Sequence, residues 1–190
     1  MFKKLSSIFA LIALVLLTSV SVAQDTNTEG AAGAVAEMVM GQADAPVTII
    51  EYASFTCPHC ARFETDVLPK LKADYIDTGK VKFIFREVYF DKYGMWASMV
   101  ARCAGPDRFF GVSKMIFETQ STWARAGGDL EIVNELSKLG KMAGLDAETL
   151  QACMQDADTL RALVGWYQEN ATRDEITSTP TLIINGEKFS

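Results

Sequence analysis

The chain has 190 residues, 49% of them hydrophobic, and a formal net charge of −6. That is the size of one ordinary domain with apolar material for its own core. An acidic chain without a Lys/Arg cluster excludes nucleic acid and anionic membrane surfaces as natural partners.

Residues 1–23 have the pattern of a cleavable export signal. Lys3 and Lys4 form a positive end, Ile8 to Leu17 an apolar run, and Ser21-Val22-Ala23 a small-residue cleavage site. The apolar run is short for a membrane span, which needs ~20 residues, although an uncleaved anchor is the alternative. No Cys follows it, which excludes a lipoprotein. A periplasmic location with cleavage near Ala23 is expected. Export puts Cys57, Cys60, Cys103 and Cys153 in an oxidising compartment, where an even number of cysteines favours disulfides over metal.

Residues 24–45 read as an N-terminal tail, with Ala34 to Met40 as a candidate short helix. Pro46 to Ser54, with its Val47-Thr48-Ile49-Ile50 run, predicts a strand. Arg62 to Tyr75 places Phe63, Val67, Leu68, Leu71 and Tyr75 at helical spacing, and Pro69 predicts a kink there. Thr78-Gly79-Lys80 turns the chain into a second strand, Val81 to Val88. Strand, helix, strand in about forty residues is a βαβ unit with parallel strands.

Residues 93–175 show repeated helix starts and stops. Gly94 to Ala104 ends at Gly105-Pro106; Asp107, Asp129, Asp146 and Asp158 are candidate caps for the helices that follow, the last running to about Arg173. Strand character returns after Thr179-Pro180 in Thr181-Leu182-Ile183-Ile184, followed by the hairpin signal Asn185-Gly186. The fold class is α/β, residues 46–92 and 176–190 forming one layer and residues 93–175 an inserted helical block.

The chemistry concentrates at Cys57-Pro58-His59-Cys60, between a strand end and a helix start. A thiol at a helix N-terminus faces free backbone N–H groups and the positive end of the dipole, and both favour thiolate. Pro58 suits the first turn, and His59, the single histidine, can add positive charge or a donor near sulfur. Cys57 is the candidate nucleophile and Cys60 the resolving thiol. The competing reading is a metal half-site, but zinc wants four ligands and no second Cys or His pair exists, so no metal and no cofactor is expected.

The run Ala45-Pro46-Val47-Thr48-Ile49-Ile50-Glu51-Tyr52, with Phe55-Thr56-Cys57-Pro58-His59-Cys60 and a helical block before Thr179-Pro180, resembles the bacterial DsbA family. The resemblance implies a thioredoxin fold with a helical insert, and a periplasmic oxidase that donates disulfides to exported polypeptides. A DsbB-like, quinone-linked membrane protein would reoxidise it. It also implies that Pro180 is a cis-proline against the cysteine pair, with Thr179 pairing to substrate; an ordinary trans proline is the alternative. Glu51 shares a strand face with Val47 and Ile49, so burial would raise its pKa and let it move a proton to or from Cys60; a solvated strand-end Glu is the alternative. The family carries a glutamate there too.

With Cys57 and Cys60 committed to the motif, Cys103 and Cys153 remain as a structural pair, or as two separate buried thiols. Trp96, Trp123 and Trp166 read as core. Thioredoxin folds add a further strand and a C-terminal helix, so the natural chain is expected to extend roughly twenty residues past Ser190. Competing functions are an isomerase or reductase of the same fold and a non-redox peptide-holding chaperone. A monomer is expected, since isomerases of this superfamily dimerise through an N-terminal domain that residues 24–45 are too few to supply.

Overall fold

The computed structural model describes residues 35–190, so the export-signal reading of residues 1–23 lies outside the described residues. Five strands, β1 (Met38–Met40), β2 (Val47–Ala53), β3 (Val81–Glu87), β4 (Thr181–Ile184) and β5 (Glu187–Phe189), make one sheet in the order β1-β3-β2-β4-β5. The two β-branched and aromatic runs form β2 (Val47–Ala53) and β3 (Val81–Glu87), parallel and in register from Val47↔Val81 to Ala53↔Glu87. β4 (Thr181–Ile184) runs antiparallel to β2, and Asn185 and Gly186, both at positive φ, turn it into β5 (Glu187–Phe189). Both φ values suit the Asn-Gly pair.

β1 (Met38–Met40) replaces the short helix expected at Ala34–Met40 and pairs antiparallel with Phe83–Phe85 of β3. Part of the expected tail thus belongs to the sheet. A three-residue segment has no intrinsic preference strong enough to resist an unpaired strand edge beside it.

The helical stretch after β2 consists of α1 (Pro58–Arg62), a π turn (Phe63–Val67), α2 (Leu68–Leu71) and a second π turn (Lys72–Ile76). Pro69 has no N–H to offer the preceding turn, and the wide turn ahead of it, closed by Leu68 N–H on the Phe63 carbonyl, takes up the missing bond. The expected kink is thus spread over two widened turns. They stretch the repeat towards four residues, so that Cys60, Glu64, Leu68 and Ile76 stay on the buried side while Val67 and Tyr75 are exposed.

Six further helices follow β3: α3 (Lys92–Cys103), α4 (Pro106–Glu118), α5 (Gln120–Trp123), α6 (Asp129–Met142), α7 (Ala147–Met154) and α8 (Ala157–Arg173). Asp146 caps α7 as expected, but Asp107, Asp129 and Asp158 sit inside their helices' first turns, where a negative charge still favours the dipole. Gly105, Gly128 and Asp156 hold those cap positions instead. α4 packs on the sheet face carrying Ile49 and Phe85 through Phe109 and Phe117, which meet Phe85 and Phe55. Cys103, at the end of α3, and Cys153, in α7, are joined by a disulfide with a Cα–Cα distance of 6.0 Å.

On the opposite face Arg86 donates to Tyr52, Asp174 and Glu37, and at the end of β3 Arg102 holds Glu87 through both carboxylate oxygens at 2.6 and 2.7 Å. Trp166 of α8 lies between the two guanidinium groups. It is a lid on ion pairs rather than plain core filler.

Candidate active site

The site is where β2 ends. Ser54 accepts the Cys57 N–H in a tight turn, and Pro58 opens α1 with Cys57 as its N-cap. The Cys57 carbonyl accepts the first helical bond, from Ala61 N–H at 3.1 Å. Its sulfur accepts from Cys60 N–H and its thiol donates to the Thr179 carbonyl, each at 3.5 Å. Thr179 comes from the far end of the chain, on a loop held by a cis Thr179–Pro180 bond. Three of the residues singled out in the sequence thus meet, Cys57, Cys60 and Thr179, and Pro180 follows Thr179 across the cis bond.

The cysteines are free thiols of opposite character. Cys57 is 8% exposed and Cys60 0%. Burial works against the Cys57 thiolate, but Thr179 and the backbone N–H groups of Cys60 and His59 outweigh it, holding the thiol below its ordinary value. The buried Thr179 hydroxyl has no hydrogen-bond partner among the described residues. Burial drives the Cys60 thiol strongly upward, with only partial relief from Thr179 and the Ser54 backbone. One cysteine of the pair is therefore built to carry charge and the other to carry a proton.

His59 Nδ1 lies 2.6 Å from an Arg62 guanidinium nitrogen, which can only donate, so Nδ1 accepts and Arg62 adds a cation to this surface.

Glu51 is fully buried beneath the motif, and neither carboxyl oxygen has a hydrogen-bond partner among the described residues. Burial raises its pKa, and the neighbouring Glu64 and Cys57 charges raise it further. Glu64, four residues after Cys60, is itself 5% exposed, and burial lifts it to about 7. Its side chain lines a cavity of about 250 Å³ with Met40, Leu68 and Phe110. Two facing carboxyls in an apolar surround cannot both ionise readily, so a proton is retained between them at neutral pH.

That arrangement has a measurable consequence. A folded carboxyl titrating near 7 rather than 4.5 binds its proton more tightly than the unfolded chain does. Its contribution to stability is present below about pH 4.5 and is lost as pH rises towards 7. Glu64→Gln is therefore expected to raise the urea midpoint of the reduced protein at pH 7.5 and leave it unchanged at pH 4. Equal midpoints at both pH values would mean that Glu64 titrates in the folded protein as it does in the unfolded chain.

Two residues invisible in the motif complete the site. Asp91 caps α3 and accepts the Thr56 hydroxyl at 2.7 Å, and Gln120 donates to the Phe55 and Cys57 carbonyls at 2.8 and 2.9 Å. Beside the cysteines, a groove of about 570 Å³ is lined by His59, Arg62, Phe63, Asp66, Thr179 and Pro180, among others. Among the described residues, no cluster of three or more His, Cys, Asp or Glu is placed to hold a metal ion, and no helix is long and apolar enough to cross a membrane.

A family model described as thioredoxin matches residues 34–190. A protein of Rickettsia bellii named as a protein-disulfide oxidoreductase is 30% identical over 151 residues, 79% of this chain and 57% of that protein. Disulfide bond formation protein D of Bacillus subtilis is 31% identical over 155 residues, 77% of this chain and 67% of that one. Among solved structures, alpha-DsbA1 of Wolbachia pipientis superposes with a TM-score of 0.71 at 30% identity, covering 78% of this chain and 74% of that one. Oxidised BdbD of B. subtilis superposes with a TM-score of 0.69 at 30% identity, covering 84% and 85%. The chain spans little more than half the length of the rickettsial relatives it matches.

Proposed function

Since the chain belongs to the DsbA-like branch of the thioredoxin-fold family, we propose that it is a thiol–disulfide oxidase that donates a Cys57–Cys60 disulfide to exported proteins in the periplasm. The observation that carries this reading is the opposite tuning of the two thiols. Stabilising the Cys57 thiolate stabilises the reduced form, which makes the disulfide the reactive, electron-accepting state.

The cycle begins when a substrate thiolate attacks the Cys57 sulfur. A substrate–Cys57 bond forms as the Cys57–Cys60 bond breaks, and Cys60 leaves as a thiolate. Its high proton affinity makes it take a proton at once. The Glu51–Glu64 pair, which holds one at neutral pH, is the buried source nearest the motif. A second substrate thiolate then attacks the substrate sulfur, and Cys57 departs as a stabilised thiolate. The substrate is oxidised by two electrons and the enzyme is left as a dithiol. Thr179 and Pro180 flank the groove in which the substrate backbone is proposed to lie. A DsbB-like, quinone-linked membrane protein takes the two electrons back, and the enzyme works as a monomer.

The test is oxidative refolding of a reduced substrate in stoichiometric excess, with a small disulfide as oxidant. Many turnovers per enzyme are expected, together with a Cys57 thiolate absorbance midpoint well below the ~8.5 of free cysteine. A midpoint at the free-cysteine value would defeat the oxidase direction. Delayed aggregation without disulfide transfer would point instead to a peptide-holding chaperone.

A further inference from the structure

Gln120 is the one buried side chain from the helical insert that bonds directly to the backbone of the motif loop, among the described residues. Its placement is local in origin. α4 stops at Thr119, whose hydroxyl folds back onto the Met115 carbonyl and whose φ of −104° takes the chain out of helical geometry for one residue. α5 then restarts at a new angle, anchored by Trp123 Nε1–H donating to the Ile116 carbonyl at 2.8 Å. The break aims Gln120 under β2's end instead of along the surface of α4.

Its amide nitrogen has two hydrogens and spends both on the motif loop. No other donor among the described residues reaches the Phe55 carbonyl. The Cys57 carbonyl already accepts Ala61 N–H as the first bond of α1, so Gln120 holds the same oxygen from the opposite side. Cys57 is thereby fixed at its carbonyl, while its sulfur meets Cys60 N–H and the Thr179 carbonyl, each at 3.5 Å. Hydrogen bonds involving sulfur are individually weak, so both depend on the loop keeping the sulfur over the helix end.

We propose that Gln120 is a positioning residue for Cys57: by clamping the Phe55 and Cys57 carbonyls it keeps the reactive sulfur on the N-terminus of α1. The insert is then part of the redox machinery as well as a cover for the sheet. This inference rests on Cys57 being the working nucleophile, the reading given above.

Gln120→Met keeps the unbranched shape and near volume but removes both donors, leaving the Phe55 carbonyl buried and unpaired. The loop must move to satisfy it. Trp123→Phe is the control: it removes the buried Ile116 bond from the same short helix without touching the motif loop. Thiolate absorbance against pH on each reduced protein gives the readout. In Gln120→Met the Cys57 midpoint is expected to rise by about one pH unit, a tenfold change in the thiol–thiolate ratio at a given pH. The disulfide should become correspondingly easier to keep oxidised against glutathione. Trp123→Phe should lower the melting temperature and leave the midpoint where it is.

A Gln120→Met protein that loses stability with an unmoved midpoint overturns the proposal, because that is what a packing role alone predicts. Should Gln120→Met fail to fold, Gln120→Asn serves: one methylene shorter, it reaches at most one carbonyl, and an intermediate midpoint is expected, while a wild-type midpoint overturns the proposal. A wild-type protein titrating like free cysteine defeats the oxidase reading instead, so the two failures are told apart.

Discussion

Cys60→Ala is expected to abolish turnover and to leave substrate covalently attached to Cys57. In the proposed cycle Cys60 is the leaving group in the first step and the internal thiol that expels a stalled substrate; without it the substrate–Cys57 bond would have no escape within the enzyme. The variant, first loaded with glutathione on Cys57, should exchange it for a single-cysteine peptide and hold that peptide as a stable disulfide. Mass spectrometry without reduction reads the adduct. Attachment at Cys103 or Cys153 would reverse the assignment of roles, and a variant that carries no adduct yet still delays aggregation would make the redox reading wrong. The expected loss is of the whole catalytic cycle, since alanine can neither attack nor leave.

The largest stability effect is expected at Arg102. Its guanidinium holds both oxygens of Glu87, whose side chain is 1% exposed. Beyond Arg102, Glu87 has only the Ser98 hydroxyl among the described residues, at 3.1 Å. Arg102→Met leaves a carboxylate buried without its cation, which costs about 3–5 kcal/mol. It also frees the Ala36 carbonyl and removes one of the two cations stacked on Trp166. Adding Glu87→Leu to Arg102→Met should recover most of the loss, because an apolar pair of similar volume avoids the buried charge. Urea midpoints at neutral pH measure both; a single variant that loses less than ~1 kcal/mol would mean that water reaches Glu87.

The elements written in local chemistry are the ones that could be read from sequence. Val47 to Ile50 are β-branched, Val81, Phe83, Ile84 and Phe85 are β-branched or aromatic, Asn185-Gly186 supplies two positive φ angles, and Pro58 marks a first helical turn. What escaped was decided by distant partners. Met38–Met40 is a strand because the edge of β3 was open to it, not because of its own preference. Asp156 caps α8 in place of Asp158, a two-residue shift between residues of equal capping ability. Glu64 was hidden by the π turns: the apolar stripe over Phe63, Val67 and Tyr75 drew the buried face to their side, while the widened turns kept the Cys60 side inward. Gln120 carries no local signal at all. A polar residue in a helical stretch reads as solvated until the tertiary fold places two unpaired carbonyls against it.

β1 has a consequence for how this molecule meets unfolded chains. Without Met38–Met40, β3 would present a row of unpaired N–H and C=O groups, a template onto which any extended polypeptide could zip by its backbone. β1 occupies that template, and the chain beyond it turns away at Gly41, at φ +92°, where a Cβ would stand 2.4 Å from the Val81 carbonyl. The ladder therefore cannot be lengthened past Met40. An enzyme whose proposed clients arrive extended has to let go of them after one exchange of electrons. With Phe83–Phe85 already paired, a client finds no long, sequence-blind grip on β3.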